Sequence, residues 1–177
     1  YKRQARKYTI GVCQLVTHDA LDAATQGFID AVQEKLGADN VDISVQNAAN
    51  DQNVCTTIVN TFVSQKVDLI MANATPSLQA AYNATTEIPI LGTAVTEYGV
   101  ALGLKDFNGT VGGNVSGTSD LAPLTEQADM ILELFPEAKT VGLLYCSAEP
   151  NSQYQVDTVQ GYLEDLSLIH ISEPTRR

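Results

Sequence analysis

The chain has 177 residues, room for one domain and a fraction of another. It is 44% apolar and 18% charged, which is ordinary globular composition, and no apolar run reaches the roughly 18 residues that a membrane-spanning helix needs. Twenty-one acidic residues against ten basic ones give a net charge of -11, and this excludes a nucleic-acid backbone as partner, because phosphate binding needs clustered positive charge.

The basic residues sit mostly at the ends. Lys2, Arg3, Arg6 and Lys7 form a leader over residues 1–7, and Arg176 and Arg177 close the chain. From Tyr8 the pattern alternates strand and helix. Tyr8–Gln14 is a short apolar run suited to a buried parallel strand. Leu21, Ala24, Phe28, Val32 and Leu36 then recur at helical spacing up to Gly37, a stop signal. Val41, Ile43 and Val45 alternate as a second strand, and Val54, Ile58 and Phe62 mark a second helix. The run from Val67 to Ala72 is a third strand, Thr75-Pro76 opens a third helix, and the run from Ile88 to Leu91 is a fourth strand.

Leu102 to Gly117 carries five of the twelve glycines and shows no helical stripe, so it reads as a loop leading to a crossover. The rhythm then restarts. Leu124, Ala128, Ile131 and Phe135 predict a helix ended by Pro136, with Ser119 or Asp120 as its cap. Thr140–Tyr145 predicts a buried strand. Ser152–Asp165 predicts a further helix, with Asn151 or Ser152 as its cap. The expected architecture is α/β: a parallel-sheet, three-layer lobe over 8–117, then the start of a second α/β lobe over 118–165.

The segment Leu166–Arg177 stands apart. LSLIHISEPTR resembles, letter for letter, the translated transposase adapter used in preparing sequencing libraries, and 166–177 is therefore read as an adapter-derived tail. On that reading the native protein continues beyond Asp165 and the second lobe is incomplete. The competing reading is a C-terminal strand, since SLIHIS alternates with period two.

Ligands of open parallel sheets sit at the carboxyl ends of the strands. The first strand-to-helix loop, Gln14 to Asp19, lacks the glycines of a dinucleotide loop, and no phosphate loop occurs anywhere. His18 there suits a ligand contact, a helix cap or, given an orienting partner, a base. The third loop, Asn73 to Ser77, offers a helix start that either takes an anion such as a carboxylate or is capped by Thr75 itself. The fourth, Gly92 to Glu97, is small and rich in hydroxyls. Cys13, Cys55 and Cys146 show no metal spacing and read as small buried apolar residues, so neither a metal nor a cofactor is expected. No nucleophile–base pair is identifiable, which argues against an enzyme.

The blocks YTIGVCQLVTHDALDAATQGF, NATPSLQAAYNATTEIPILGTAVTE, GGNVSGTSDLAP and ELFPEAKTVGLLYCSAEPNSQYQV together resemble substrate-binding proteins of ABC-type importers, specifically the family linked to uptake of tryptophan and tyrosine. That resemblance implies the type I periplasmic-binding-protein architecture, two α/β lobes clamping a small ligand, here an aromatic amino acid. It implies a monomer that is extracytoplasmic, periplasmic or lipid-anchored, and that delivers its ligand to ABC permease subunits. By motif position it gives ligand-binding roles to Gln14, His18, Ala74, Thr75, Ser77, Ala94, Val95, Thr96, Ser119 and Asp120, and to Glu149, Asn151 and Ser152 in the second lobe. The same two-lobe fold serves as the effector-sensing core of lactose-repressor-like regulators, the alternative kept beside it.

Overall fold

A computed structural model describes residues 7–166 and 169–175; the rest of the basic leader, residues 1–6, lies outside the described residues. The chain divides into two compact units, the first ending at Asp120 and the second starting at Leu121.

The first unit is built on a five-stranded sheet in the order β2-β1-β3-β4-β5, parallel throughout. Its strands are β1 (Tyr8–Gln14), β2 (Val41–Asn47), β3 (Leu69–Asn73), β4 (Ile90–Val95) and β5 (Val115–Ser119). Helix α1 (Asp19–Leu36) lies on one face, where Phe28 and Val32 pack on Ile10, Val12 and Met71. Helices α2 (Gln52–Gln65) and α3 (Thr75–Ala84) and the short α4 (Tyr98–Leu102) cover the other, around Phe62, Ile70, Leu78 and Ile90. The central strands β1 and β3 are apolar on both faces because both faces are covered, as parallel crossovers require. Phe62 is fully buried against β1. It gets there because Gly11 has no side chain: a Cβ on Gly11 would stand 2.5 Å from the Phe62 ring. Burying a ring of this size stabilises by roughly 1.5–3 kcal/mol.

Two elements fall where the sequence predicted neither helix nor strand. Tyr98–Leu102 is helical, capped by Glu97, whose carboxylate accepts from the amides of Gly99 and Val100. Val115–Ser119 is a strand on the sheet edge, so the first unit ends at Asp120 rather than at 117. Its burial pattern explains the miss. Only Val115 is buried, and the other four residues are exposed, so no hydrophobic alternation marks it.

The second unit has α5 (Leu124–Leu134), β6 (Thr140–Cys146), α6 (Pro150–Asp165) and β7 (Ile169–Thr175). Its helix starts correct two predicted caps. Pro123 stands at the cap of α5 with no side-chain bond, and Glu149 caps α6 through the amide of Ser152, with Pro150 as first helical residue. Ser119 and Asp120 are instead the exit of β5, and Asn151 and Ser152 lie inside the first turn of α6. The segment set apart in the sequence takes a place here: β7 runs parallel to β6, from Ile169 beside Thr140 to Thr175 beside Cys146.

Candidate functional site

The carboxyl ends of β1, β3, β4 and β5 form one edge of the first unit's sheet. Register aligns them: Gln14 pairs with Asn73, Asn73 with Thr93, and Val95 with Ser119. Ten of the thirteen candidate residues fall on this edge or on the turns leaving it.

Gln14 is buried, and its amide is committed within the unit. Its Nε2 donates to the Val16 carbonyl at 2.9 Å and to the Asp22 carboxylate, and its Oε1 accepts from Thr25 at 2.7 Å. Asn73 Nδ2 donates to Thr25 Oγ1 at 2.9 Å and to the Leu21 carbonyl at 2.8 Å. Gln14, Thr25 and Asn73 thus tie α1 to the ends of β1 and β3. Asn73 Oδ1 is buried and makes no hydrogen bond in the structure. Sequence reasoning missed Thr25 and Asn73, because only the docking of α1 on the sheet brings them to Gln14. His18 is exposed and caps α1, its Nδ1 accepting from the Ala20 amide at 3.2 Å.

The turn from β3 into α3 carries strain. Ala74 has φ 88° and ψ 160°, a region that glycine enters and alanine avoids, at a cost of order 1–3 kcal/mol. Its amide donates to the Thr93 carbonyl at 2.9 Å, which pins the turn to β4. Ala74, not Thr75, is the N-cap, and no side chain caps α3. Thr75 and Ser77 lie in the first turn, both buried. Ser77 turns its hydroxyl inward, 3.5 Å from Cys13 Sγ and 3.6 Å from Cys55 Sγ. The positive end of α3, a ten-residue helix, therefore meets the sheet edge with no capping side chain of its own.

The exit of β4 is irregular as well. The ladder to β5 shifts between Gly92 and Val95, and Ala94 is left-handed at φ 53°. Beyond it, the Thr96 carbonyl accepts from Ser119 Oγ at 2.6 Å, and the Asp120 amide donates to the Val95 carbonyl at 3.2 Å. Tyr98 lies across this corner with its hydroxyl donating to the Thr118 carbonyl at 3.1 Å. Burial, and then the charge of Asp120, push its phenol up to about 12. Glycine is required beneath it: a Cβ on Gly117 would come within 2.1 Å of the Tyr98 hydroxyl and 2.3 Å of the Gly92 carbonyl.

In the second unit the candidates gather at the exit of β6. Ser152 Oγ accepts from the Cys146 amide at 2.9 Å, Asn151 is buried, and Glu149 caps α6. One carboxylate oxygen of Glu149, Oε1, is buried and makes no hydrogen bond in the structure. No group of three or more metal-ligating side chains occurs among the described residues.

A family model described as ABC transporter substrate binding protein matches residues 9–173. The chain belongs to this family. Among curated proteins, the chain is 46% identical over 159 residues to a tyrosine-binding protein of Clostridioides difficile strain R20291, covering 89% of itself and 46% of that relative. Among solved structures it is similar to an ABC domain from Streptococcus pneumonia in complex with L-Trp, at 34% identity and a TM-score of 0.87, covering 96% of itself and 57% of that chain. It is also similar to a ligand-free, open substrate-binding protein with adhesive properties from Clostridium difficile, at 42% identity and a TM-score of 0.73, covering 96% of itself and 58% of that chain. The chain thus spans about half the length of these relatives. A leucine-binding protein of Thermotoga maritima, 16% identical with a TM-score of 0.73, shares the fold alone. The fold is that of type I periplasmic binding proteins.

Proposed function

We propose that this chain is part of a non-catalytic receptor that captures an aromatic amino acid outside the cytoplasm and hands it to an ABC permease. The ligand class is supported by the relatives, one a tyrosine-binding protein and one solved with L-Trp. The observation that carries the reading is the uncapped start of α3 behind the strained Ala74. A carboxylate placed there faces the positive end of a helix, worth about 0.3–1 kcal/mol and up to about 2 when partly buried. Strain of this kind persists where surrounding structure over-determines it, which is common at ligand clamps. Ala94, Val95 and Thr96 and the exit of β5 at Ser119 and Asp120 flank that position on the same sheet edge. In the second unit, Glu149 Oε1 is an acceptor suited to an ammonium group. Gln14, its amide committed within the unit, acts from behind by fixing α1, while His18 caps α1 through Nδ1 and stays exposed.

The test is calorimetry on this lobe joined to the remaining sequence of a full-length receptor. Tyrosine, tryptophan or phenylalanine should bind, and Glu149→Gln should weaken binding about tenfold or more, as loss of a charge-assisted hydrogen bond does. A receptor indifferent to all three amino acids would remove the ligand class. Unchanged affinity in the Glu149 variant would remove the ammonium site.

A further inference from the structure

Two thiols and a hydroxyl meet beneath the first turn of α3. Cys13 is the penultimate residue of β1. Cys55 closes the first turn of α2, its amide donating to the Asp51 carbonyl at 3.0 Å, and Ser77 lies in the first turn of α3. All three are fully buried, and both cysteines are free. Each sulfur lies within 3.6 Å of Ser77 Oγ, so one hydroxyl bridges the two thiols. The starts of two helices point at this cluster, a setting that favours a thiolate.

We propose that Cys13 and Cys55 form a peroxide-sensitive pair that closes to an intramolecular disulfide. The two sulfurs are not equivalent. Cys13 Sγ donates its proton to Ser77 Oγ, whereas Cys55 sits in the first turn of α2, where a helix start favours the thiolate. Cys55 is therefore the attacking sulfur and Cys13 the resolving one. The Cys55 thiolate attacks one oxygen of hydrogen peroxide. The O–O bond breaks, hydroxide leaves and takes up the proton that Cys55 released, and Cys55 becomes a sulfenic acid. Cys13 sulfur then attacks the Cys55 sulfur, the S–O bond breaks, and the departing hydroxide takes the Cys13 proton. Two thiols and one peroxide give one disulfide and two waters. Hydrogen peroxide is close to water in size, and Val54, next to Cys55, is exposed. Bond formation removes both thiols as hydrogen-bond partners of Ser77, so the first turn of α3 loosens.

The experiment treats the full 177-residue chain with hydrogen peroxide, then denatures and alkylates it for mass spectrometry. The expected product has lost two hydrogens and two alkylatable thiols, has Cys13 linked to Cys55 in its peptides, and keeps Cys146 alkylatable. In Cys13→Ala, Cys55 stops at the sulfenic acid, which dimedone traps. Amide exchange at Ser77 and Leu78 rises in the oxidised wild-type chain. The pair is overturned if the wild-type chain keeps all three thiols under peroxide that fully oxidises free cysteine, if Cys55 gains oxygen without losing hydrogens, or if the bond formed includes Cys146. Unchanged exchange at Ser77 in a chain that carries the disulfide would overturn the coupling to α3. The wild-type arm stands whether or not the variant folds.

Discussion

The two units use the same strand–helix alternation and reach different degrees of closure. In the first, a five-stranded sheet with helices on both faces seals a core that includes Phe62, Ile70, Leu78, Ile90 and Val95, none of them accessible to water. In the second, two strands carry one small cluster, Ala128 and Leu163 with their neighbours, while Leu134 and Phe135 are 65% exposed and Leu144 is 73% exposed. Alternation decides which way a residue points. The number of layers decides whether water is kept off it. A strand such as β6, with Val141 and Leu143 packed and Leu144 bare, has the sequence of a buried strand with one side of its burial missing.

The sharpest way to test that contrast is to remove one fully buried side chain from each unit. Phe62→Ala should cost about 3–5 kcal/mol and shift the main unfolding transition in urea, because the ring fills the gap over Gly11. Leu163→Ala is expected to cost less than about 2 kcal/mol and to leave that transition in place, since its surroundings are open enough to collapse. Equal losses from the two substitutions would mean that the second unit is as tightly closed as the first.

A middling effect should come from the tail. β7 is the one strand found beside β6 among the described residues. Deleting 166–177 should lower hydrogen-exchange protection over Thr140–Cys146 by about tenfold, on the order of 1.4 kcal/mol of local stability, while β1, β3 and β4 keep theirs. Unchanged protection in β6 would mean that the pairing holds nothing in place, as expected of a segment foreign to the fold.

The smallest effect belongs to the first unit's corner. Tyr98 has its phenol raised from 10 to about 12 by burial and by Asp120. The folded state therefore holds a proton that the unfolded state gives up. This contribution is complete below pH 10, and it fades as pH climbs from 10 through about 12. Tyr98→Phe should lose about 1 kcal/mol at neutral pH, for the bond to Thr118, and should flatten the decline in stability above pH 10. Parallel alkaline profiles for the two proteins would show that the hydroxyl titrates as freely folded as unfolded.

Much of the fold is legible in the sequence because burial on both faces leaves uninterrupted apolar runs. Tyr8–Gln14 and the run from Val67 to Ala72 announce themselves that way, and the edge they share follows from where those runs stop. What escapes is structure held by something other than apolar pattern. β5 is an edge strand with a single buried side chain, and α4 is five residues capped by Glu97. The candidate positions on Ala74–Ser77 and Ala94–Thr96 were readable as strand exits. The strain at Ala74 and the inward turn of Ser77 were not, because alanine and serine carry no sign of either. The starts of α5 and α6 went to the wrong residues for a related reason: α5 starts at Pro123 with no capping side chain to mark it, and at α6 Glu149 takes the cap from among several polar neighbours.

The amide of Gln14 has a consequence at the level of the gene. Its two N–H bonds point at two acceptors, the Val16 carbonyl and the Asp22 carboxylate. A glutamine codon becomes a glutamate codon by a single base change, among the mildest edits on paper. Here it would set oxygen against oxygen twice and bring two carboxylates together at the root of α1, where one of them must take a proton or the helix must move.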